Sequence, residues 1–228
     1  MKNLLLILTF IIITTSVHAQ KKVTLQLSWL NQFQFAGYYM AKEMGYYEDV
    51  GLDVQIKEFQ FGMNALSMLE NKKNDFAIGR SSLLIDKSKG KDIVALAALY
   101  QQSPLMLLVT KDSKIETIED LKNKKIMITA DAEASASIIS MLSSNGINMK
   151  DIKVLKHSFN VDDLISGKTD AMASYISNEP IVLDEKGIDY KIFHPKNYGF
   201  QFYGDILFTS SEFIYKNPQL TKDFYHAS

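Results

Sequence analysis

The run Trp29-Leu30-Asn31-Gln32-Phe33-Gln34-Phe35-Ala36-Gly37-Tyr38-Tyr39 sets carboxamides among aromatic rings directly after an alternating, β-like stretch, Val23 to Leu27. An indole can stack on a flat ring, while a carboxamide offers an acceptor oxygen and two donor hydrogens to that ring's edge. The segment falls at a strand-to-helix turn, where backbone N–H groups point outward. Trp29, Gln32, Gln34 and Tyr38 are the candidate ligand-binding residues here. For Phe33, Phe35 and Tyr39 the usual burial of aromatic side chains favours the core.

Three further segments carry polar chemistry at similar places. Gly79-Arg80-Ser81-Ser82 follows a short apolar strand, and Ser81 and Ser82 could bind a ligand or cap the next helix. Tyr100-Gln101-Gln102-Ser103-Pro104 joins two apolar strands, so Gln102 and Ser103 lie either in a solvated turn or in a hinge lined by ligand donors. Asn178-Glu179-Pro180 opens a helix, and Tyr198-Gly199-Phe200-Gln201-Phe202-Tyr203-Gly204-Asp205 returns the chain with aromatics and an acid. Ionised Glu179 and Asp205 only accept hydrogen bonds, so with Asn178 and Tyr203 they suit a ligand rich in N–H donors, such as an aminopyrimidine. The alternative for Glu179 is a first-turn acid stabilised by the helix dipole.

These residues make no catalytic set. There is no Gly-x-Ser-x-Gly, no Walker loop and no dinucleotide fingerprint. The chain has no cysteine, and its four histidines are scattered without metal-ligand spacing, so no metal or other cofactor is expected. With 25 Lys plus Arg against 26 Asp plus Glu, the formal net charge of −1 gives no electrostatic case for nucleic acid as a partner. At 228 residues, 46% hydrophobic and 22% charged, the composition is that of a globular protein with a sizeable core.

The elements that must position these side chains alternate strand and helix. Strands are expected at 23–27, 52–56, 75–79 and 93–100, with helices between them at 33–43, 62–70 and 82–88. A second set has strands at 105–110, 125–129, 153–155, 170–175, 190–193 and 206–209. Helices are expected at 117–121 (with Thr117 as cap), 135–144, 161–166, from Asn178 and from Asn217. This order predicts an α/β fold of two lobes, each a mostly parallel sheet with helices on both faces and the cleft between the lobes as the ligand site. Lobe 1 is expected over 20–104, lobe 2 over 105–198, with a return to lobe 1 over 199–228. Met1 to Ala19 reads as a cleaved secretory signal: Lys2 precedes an apolar stretch only about half the ~20 residues needed to span a bilayer, and Val17-His18-Ala19 precedes the cleavage point. The mature chain is thus expected in a periplasm. Apolar residues still arrive at helical spacing in Asp223-Phe224-Tyr225-His226-Ala227-Ser228, which predicts a longer, truncated polypeptide.

On these residues the chain resembles the bacterial solute-binding proteins related to thiamine-pyrimidine precursor binding, the ThiY-like family. The resemblance runs from about Leu25 to the end. It rests on Trp29 with Gln32 to Tyr39, Gly45-Tyr46-Tyr47, Gly51-Leu52-Asp53-Val54, Asp75 to Gly79, Gln102-Ser103-Pro104, Gly167 to Ala171, Tyr175, Asn178-Glu179-Pro180 and Phe202 to Asp205. It implies the two-lobed type II periplasmic binding fold and capture of a small planar ligand for an ABC importer's permease. From their chemistry, Trp29 and Tyr203 are expected to stack on the ring while Gln32, Gln34, Ser81, Gln102, Asn178, Glu179 and Asp205 read its edge. A fungal enzyme of the same superfamily makes the thiamine pyrimidine with a cysteine cluster, a lysine and a histidine. Here Gly199 to Tyr203, Gly79 and Leu83 stand at roughly those places, which argues against an enzyme. Similar chains also serve as extracytoplasmic input domains of kinases and cyclases, whose partner is their own signalling module.

Overall fold

The computed structural model describes residues 19–60, 62–128 and 136–228. The expected signal segment falls outside them except for Ala19. No helix among the described residues is long and apolar enough to cross a membrane.

The first sheet is built from β1 (Lys21–Gln26), β2 (Leu52–Lys57), β3 (Phe76–Gly79), β4 (Val94–Tyr100) and β10 (Gly204–Thr209) in the order β2-β1-β3-β10-β4. The second uses β5 (Leu105–Thr110), β6 (Lys125–Ile128), β7 (Lys153–Lys156), β8 (Ala171–Tyr175) and β9 (Tyr190–Phe193) in the order β7-β6-β8-β5-β9. β1 pairs parallel with β2 and β3, and β6 pairs parallel with β7 and β8. One strand in each sheet, β10 and β5, runs antiparallel to both its neighbours. Each enters straight from the other lobe, so no crossover helix reverses its direction. The two sheets make a mixed but mostly parallel α/β architecture of two lobes.

The helices are α1 (Ala36–Glu43), α2 (Tyr46–Asp49), α3 (Ala65–Glu70), α4 (Leu83–Ser88), α5 (Ala136–Ser144), α6 (Asp162–Ile165), α7 (Glu179–Glu185), α8 (Ser211–Lys216) and α9 (Pro218–Ala227). Period-two alternation explains why β5 is buried on both faces. Leu105, Leu107 and Val109 pack with Ile126, Ile138, Met141 and Phe193 on one side. Met106 and Leu108 pack with Met127, Met172 and Leu183 on the other. In the first lobe, α9 closes the core: Phe224 stacks on Phe76 with centroids 4.0 Å apart and on Tyr47 at 5.5 Å.

Local expectations fail at several places, of which these have a clear physical cause. Phe33 is 93% exposed, because the helix does not begin there. A 3₁₀ turn spans Phe33–Phe35 and turns only Phe35 into the core. The Thr117 cap is reversed: Thr117 donates its N–H (2.8 Å) and hydroxyl (3.2 Å) to Asp120 ahead of a 3₁₀ turn, Glu119–Leu121. A helix not foreseen from periodicity, α8, starts on two side chains: Ser210 Oγ accepts from Phe213 N–H (3.0 Å) and Asp92 accepts from Ser211 and Glu212 N–H (3.0 and 3.1 Å).

Candidate functional site

The cleft collects the carboxyl ends of parallel strands from both sheets, the usual ligand position in open α/β sheets. Ser28 and Trp29 follow β1, Arg80 follows β3, Phe159 follows β7, Tyr175 ends β8, and Asn178 and Glu179 follow it. Together with Gln32, Gln34, Leu105, Ala173 and Ser174 they line a hollow of about 450 Å³. A wider, open hollow of about 1980 Å³ shares Ser28, Trp29, Arg80 and Phe159 and continues outward past His157 and Ser82.

Contacts among the described residues join the lobes around the inner hollow. Trp29 meets Phe159 with ring centroids 4.6 Å apart and also stacks on Phe59 at 5.1 Å. Gln32 Nε2 donates to Asn178 Oδ1 at 3.5 Å. Arg80 Nε donates to the Tyr175 hydroxyl at 3.3 Å, with the guanidinium carbon 5.7 Å from that ring's centroid.

Trp29, Gln32, Gln34, Asn178 and Glu179, all expected from the sequence, line the inner hollow. Ser82 lines only the outer one and makes no capping hydrogen bond, while Ser81 lines neither. Tyr38 is 4% exposed inside the first lobe's core, and burial first, then Tyr47 and Asp205, drives its phenol well above the ordinary range. Gln102 and Ser103 line a separate small recess with His194 and Phe202. Tyr203 is 55% exposed and lines neither hollow.

Asp205 stands behind the wall rather than in it. It is fully buried, with φ of 43°, and accepts from Gln34 Nε2 (3.0 Å), Ser28 Oγ (3.2 Å) and the Tyr175 hydroxyl (3.5 Å). Its carboxylate therefore orients three side chains that line the inner hollow. Burial pushes its carboxyl up, and the Arg80 cation opposes that shift. Tyr175, reached by the same two charges, is pushed up to about 12, chiefly by burial.

The Glu179 carboxylate is tied into the protein on both oxygens. Oε2 accepts from the Tyr175 N–H (3.0 Å) and Oε1 from Asn178 Nδ2 (3.2 Å), so it braces the start of α7 while still facing the hollow. Burial raises its carboxyl, against those hydrogen bonds. His157 is held neutral. Its Nδ1 accepts from Phe159 N–H (2.9 Å), so Nε2 carries the proton and donates to the Ala173 carbonyl (2.6 Å), and burial lowers its pKa.

Arg80 is the side chain that sequence reading passed over in favour of the neighbouring serines. A signal was present: it is the single arginine among 25 cationic Lys and Arg residues. Tyr175 and Phe159 were not singled out as ligand contacts either, and nothing local marks them.

Two lobes and a cleft between them, its wall made of rings, amides and the half-buried carboxylate of Glu179, define a protein with the periplasmic-binding-protein architecture. The chain belongs to the NMT1/THI5 like family, whose model matches residues 32–228. It is 24% identical over 214 residues to the riboflavin-binding protein RibY of Chloroflexus aurantiacus, covering 91% of this chain and 60% of that one. It is 21% identical over 214 residues to the formylaminopyrimidine-binding protein of Halalkalibacterium halodurans, covering 92% and 65%. The chain thus spans less than two thirds of the length of either relative. Among solved structures it is similar to the alkanesulfonate-binding protein SsuA of Xanthomonas axonopodis pv. citri, bound to MOPS, with a TM-score of 0.68, 20% identity, and coverage of 92% and 73%.

Proposed function

We propose that the chain is an exported solute-binding module that captures a small planar ligand, a thiamine-pathway pyrimidine, and passes it to an ABC importer without altering it. The observation that carries this reading is the wall of the inner hollow. The rings of Trp29, Phe159 and Tyr175 stand beside the amides of Gln32, Gln34 and Asn178 and the carboxylate of Glu179. Ring faces take up a flat heterocycle, and Glu179 accepts from an exocyclic amino group. The formylaminopyrimidine-binding relative supports the same ligand class.

The hollow is bounded by both lobes, so binding is coupled to hinge closure: Gln32 with Asn178, and Trp29 with Phe159, come together only when the lobes approach. A larger planar ligand is the second reading, favoured by the continuity of the inner hollow with the open one and by the riboflavin-binding relative.

Thermal unfolding with a panel of 4-aminopyrimidines and with riboflavin tests both. A ligand at about 100 times its Kd adds ~2.7 kcal/mol of stability. A rise in Tm with aminopyrimidines supports the first reading and a rise with riboflavin alone supports the second. No rise with either rejects both.

A further inference from the structure

The inner and outer hollows run into one another at Ser28, Trp29, Arg80 and Phe159, the residues that line both. Two of the four are rings from opposite lobes. Trp29 and Phe159 stand with centroids 4.6 Å apart, a direct-contact distance that leaves no room for a third ring between them. The passage between the hollows is closed where these two rings meet. Beyond it, Met63, Leu66, Leu83 and Phe208 give the outer hollow an apolar surface of its own.

Phe159 is held at this point in a backbone conformation that a bulky residue rarely takes. Its φ is 58°, and it is the one aromatic among the described non-glycine residues with positive φ. The loop around it enforces that shape. Phe159 N–H donates to His157 Nδ1 (2.9 Å), His157 Nε2 donates to the Ala173 carbonyl on β8 (2.6 Å), and Asn160 N–H donates to Ser158 Oγ (3.3 Å). The His157 ring backs the Phe159 ring at 4.4 Å. Costly backbone conformations persist only where the surroundings over-determine them, and they cluster at ligand clamps and switches. Packing alone explains less: Phe76 and Phe208 are fully buried core rings, whereas Phe159 is half-buried and lines two cavities.

We propose that Phe159 is a length gate. With Trp29 it closes the inner hollow to substituents that reach toward the outer one, so the cleft selects a compact ring over the same ring carrying a long extension. This rests on the ring-binding reading above and adds the residue that sets ligand size.

Isothermal titration with matched ligands tests it. One pair is 4-amino-5-hydroxymethyl-2-methylpyrimidine and its benzyl ether. The second is lumiflavin and riboflavin, one ring system with a methyl or a ribityl chain. The readout is the long-to-short affinity ratio, since Phe159 also lines the hollow that takes the ring. The native chain is expected to favour the short member. Phe159→Ala raises the ratio by roughly 5- to 10-fold, the scale of one aromatic pair. Phe159→Tyr, which keeps the ring, keeps the native ratio. Should Phe159→Ala fail to fold, Phe159→Gly carries the same test, because glycine adopts a φ of 58° freely.

If both pyrimidines bind and Phe159→Ala leaves their ratio unchanged, Phe159 is merely structural: the gate is overturned and the pyrimidine reading stands. If flavins alone bind and their ratio rises in Phe159→Ala, the gate stands and the pyrimidine reading falls. If flavins alone bind with an unchanged ratio, or no compound binds, both fall.

Discussion

Trp29 and Phe159 come from different lobes, 130 positions apart in the chain, yet their ring centroids are 4.6 Å apart at the mouth of the inner hollow. The indole is held from its own lobe by Phe59 at 5.1 Å, and Phe159 is held by His157 at 4.4 Å. Four rings therefore run from one lobe into the other, with the Trp29–Phe159 contact in their middle.

Trp29 is the chain's single tryptophan, so the protein's tryptophan emission reports on the surroundings of this one indole. Phe159→Ala should red-shift the emission of the ligand-free protein by admitting water to the indole, and cost about 1–3 kcal/mol of stability through lost packing. Steady-state fluorescence and urea unfolding measure the two effects. An unchanged emission maximum would show that the rings do not shield one another in solution.

Asp205 organises the wall from behind. Asp205→Ala strands the donors of Gln34, Ser28 and Tyr175, at a cost of roughly 1–3 kcal/mol, and lowers ligand affinity although the residue does not face the ligand. The pH dependence has a definite sign. Burial raises this carboxyl above its ordinary value near 3.8, so the native state holds more protons than the unfolded one between the two values. Its contribution to stability is largest below the ordinary value and declines as pH rises through the raised one. The difference in stability between the native chain and Asp205→Asn, followed across that window, should show this slope.

His157 acts in the opposite direction. Burial lowers its pKa from an ordinary value of 6.5, so the unfolded state binds the extra proton first. Stability from this group is complete above 6.5 and is lost as pH falls below it toward the lowered value. Denaturant midpoints between neutral and mildly acidic pH should fall in the native chain and fall less in His157→Gln. Parallel slopes in the two proteins would refute the assignment.

Binding assays separate wall from core. Gln32→Ala and Asn178→Ala each remove a donor or acceptor from the inner hollow and should weaken binding by roughly 5- to 10-fold, the value of about one hydrogen bond. Tyr38→Phe and Gln102→Ala touch residues outside it and should leave affinity within about 2-fold, a small fraction of one hydrogen bond. A larger loss in Gln102→Ala would move the ligand toward the hinge recess.

The two interlobe crossovers lie side by side, joined by Ser103 N–H to the Phe202 carbonyl at 2.7 Å. Gly204 makes the approach possible: a Cβ there would meet Pro104 Cδ at 2.9 Å and the Ser103 Cα at 3.2 Å. Gly204→Ala should cost about 1–3 kcal/mol by overpacking this junction, measured by chemical denaturation. A loss under about 0.5 kcal/mol, the range of a neutral surface change, would mean the crossovers yield freely.

Much of the fold is legible because strand and helix signals are local. β5 and β9 occupy the residues their apolar runs predict, and the left-handed glycines Gly45 (φ 78°) and Gly146 (φ 75°) follow α1 and α5 as helix-ending residues should. Phe33 escapes the same reasoning because burial frequencies describe a residue type, whereas its exposure is set by one 3₁₀ turn. α8 escapes it because its start depends on Asp92, 119 positions earlier than Ser211.

By itself the sequence determined the alternation of strands and helices, and with it two sheets and a cleft at their carboxyl ends, since periods of 2 and 3.6 residues act over a few neighbours. It also marked the amides and the indole of the wall. Only the tertiary structure decided that Asp205 supports the wall, that Tyr38 belongs to the core, and that Arg80 and Glu179 share one hollow. The reason is distance along the chain: Gln32 and Asn178 are separated by 146 positions, and what brings them together is the packing of whole lobes, a property no short window of residues contains.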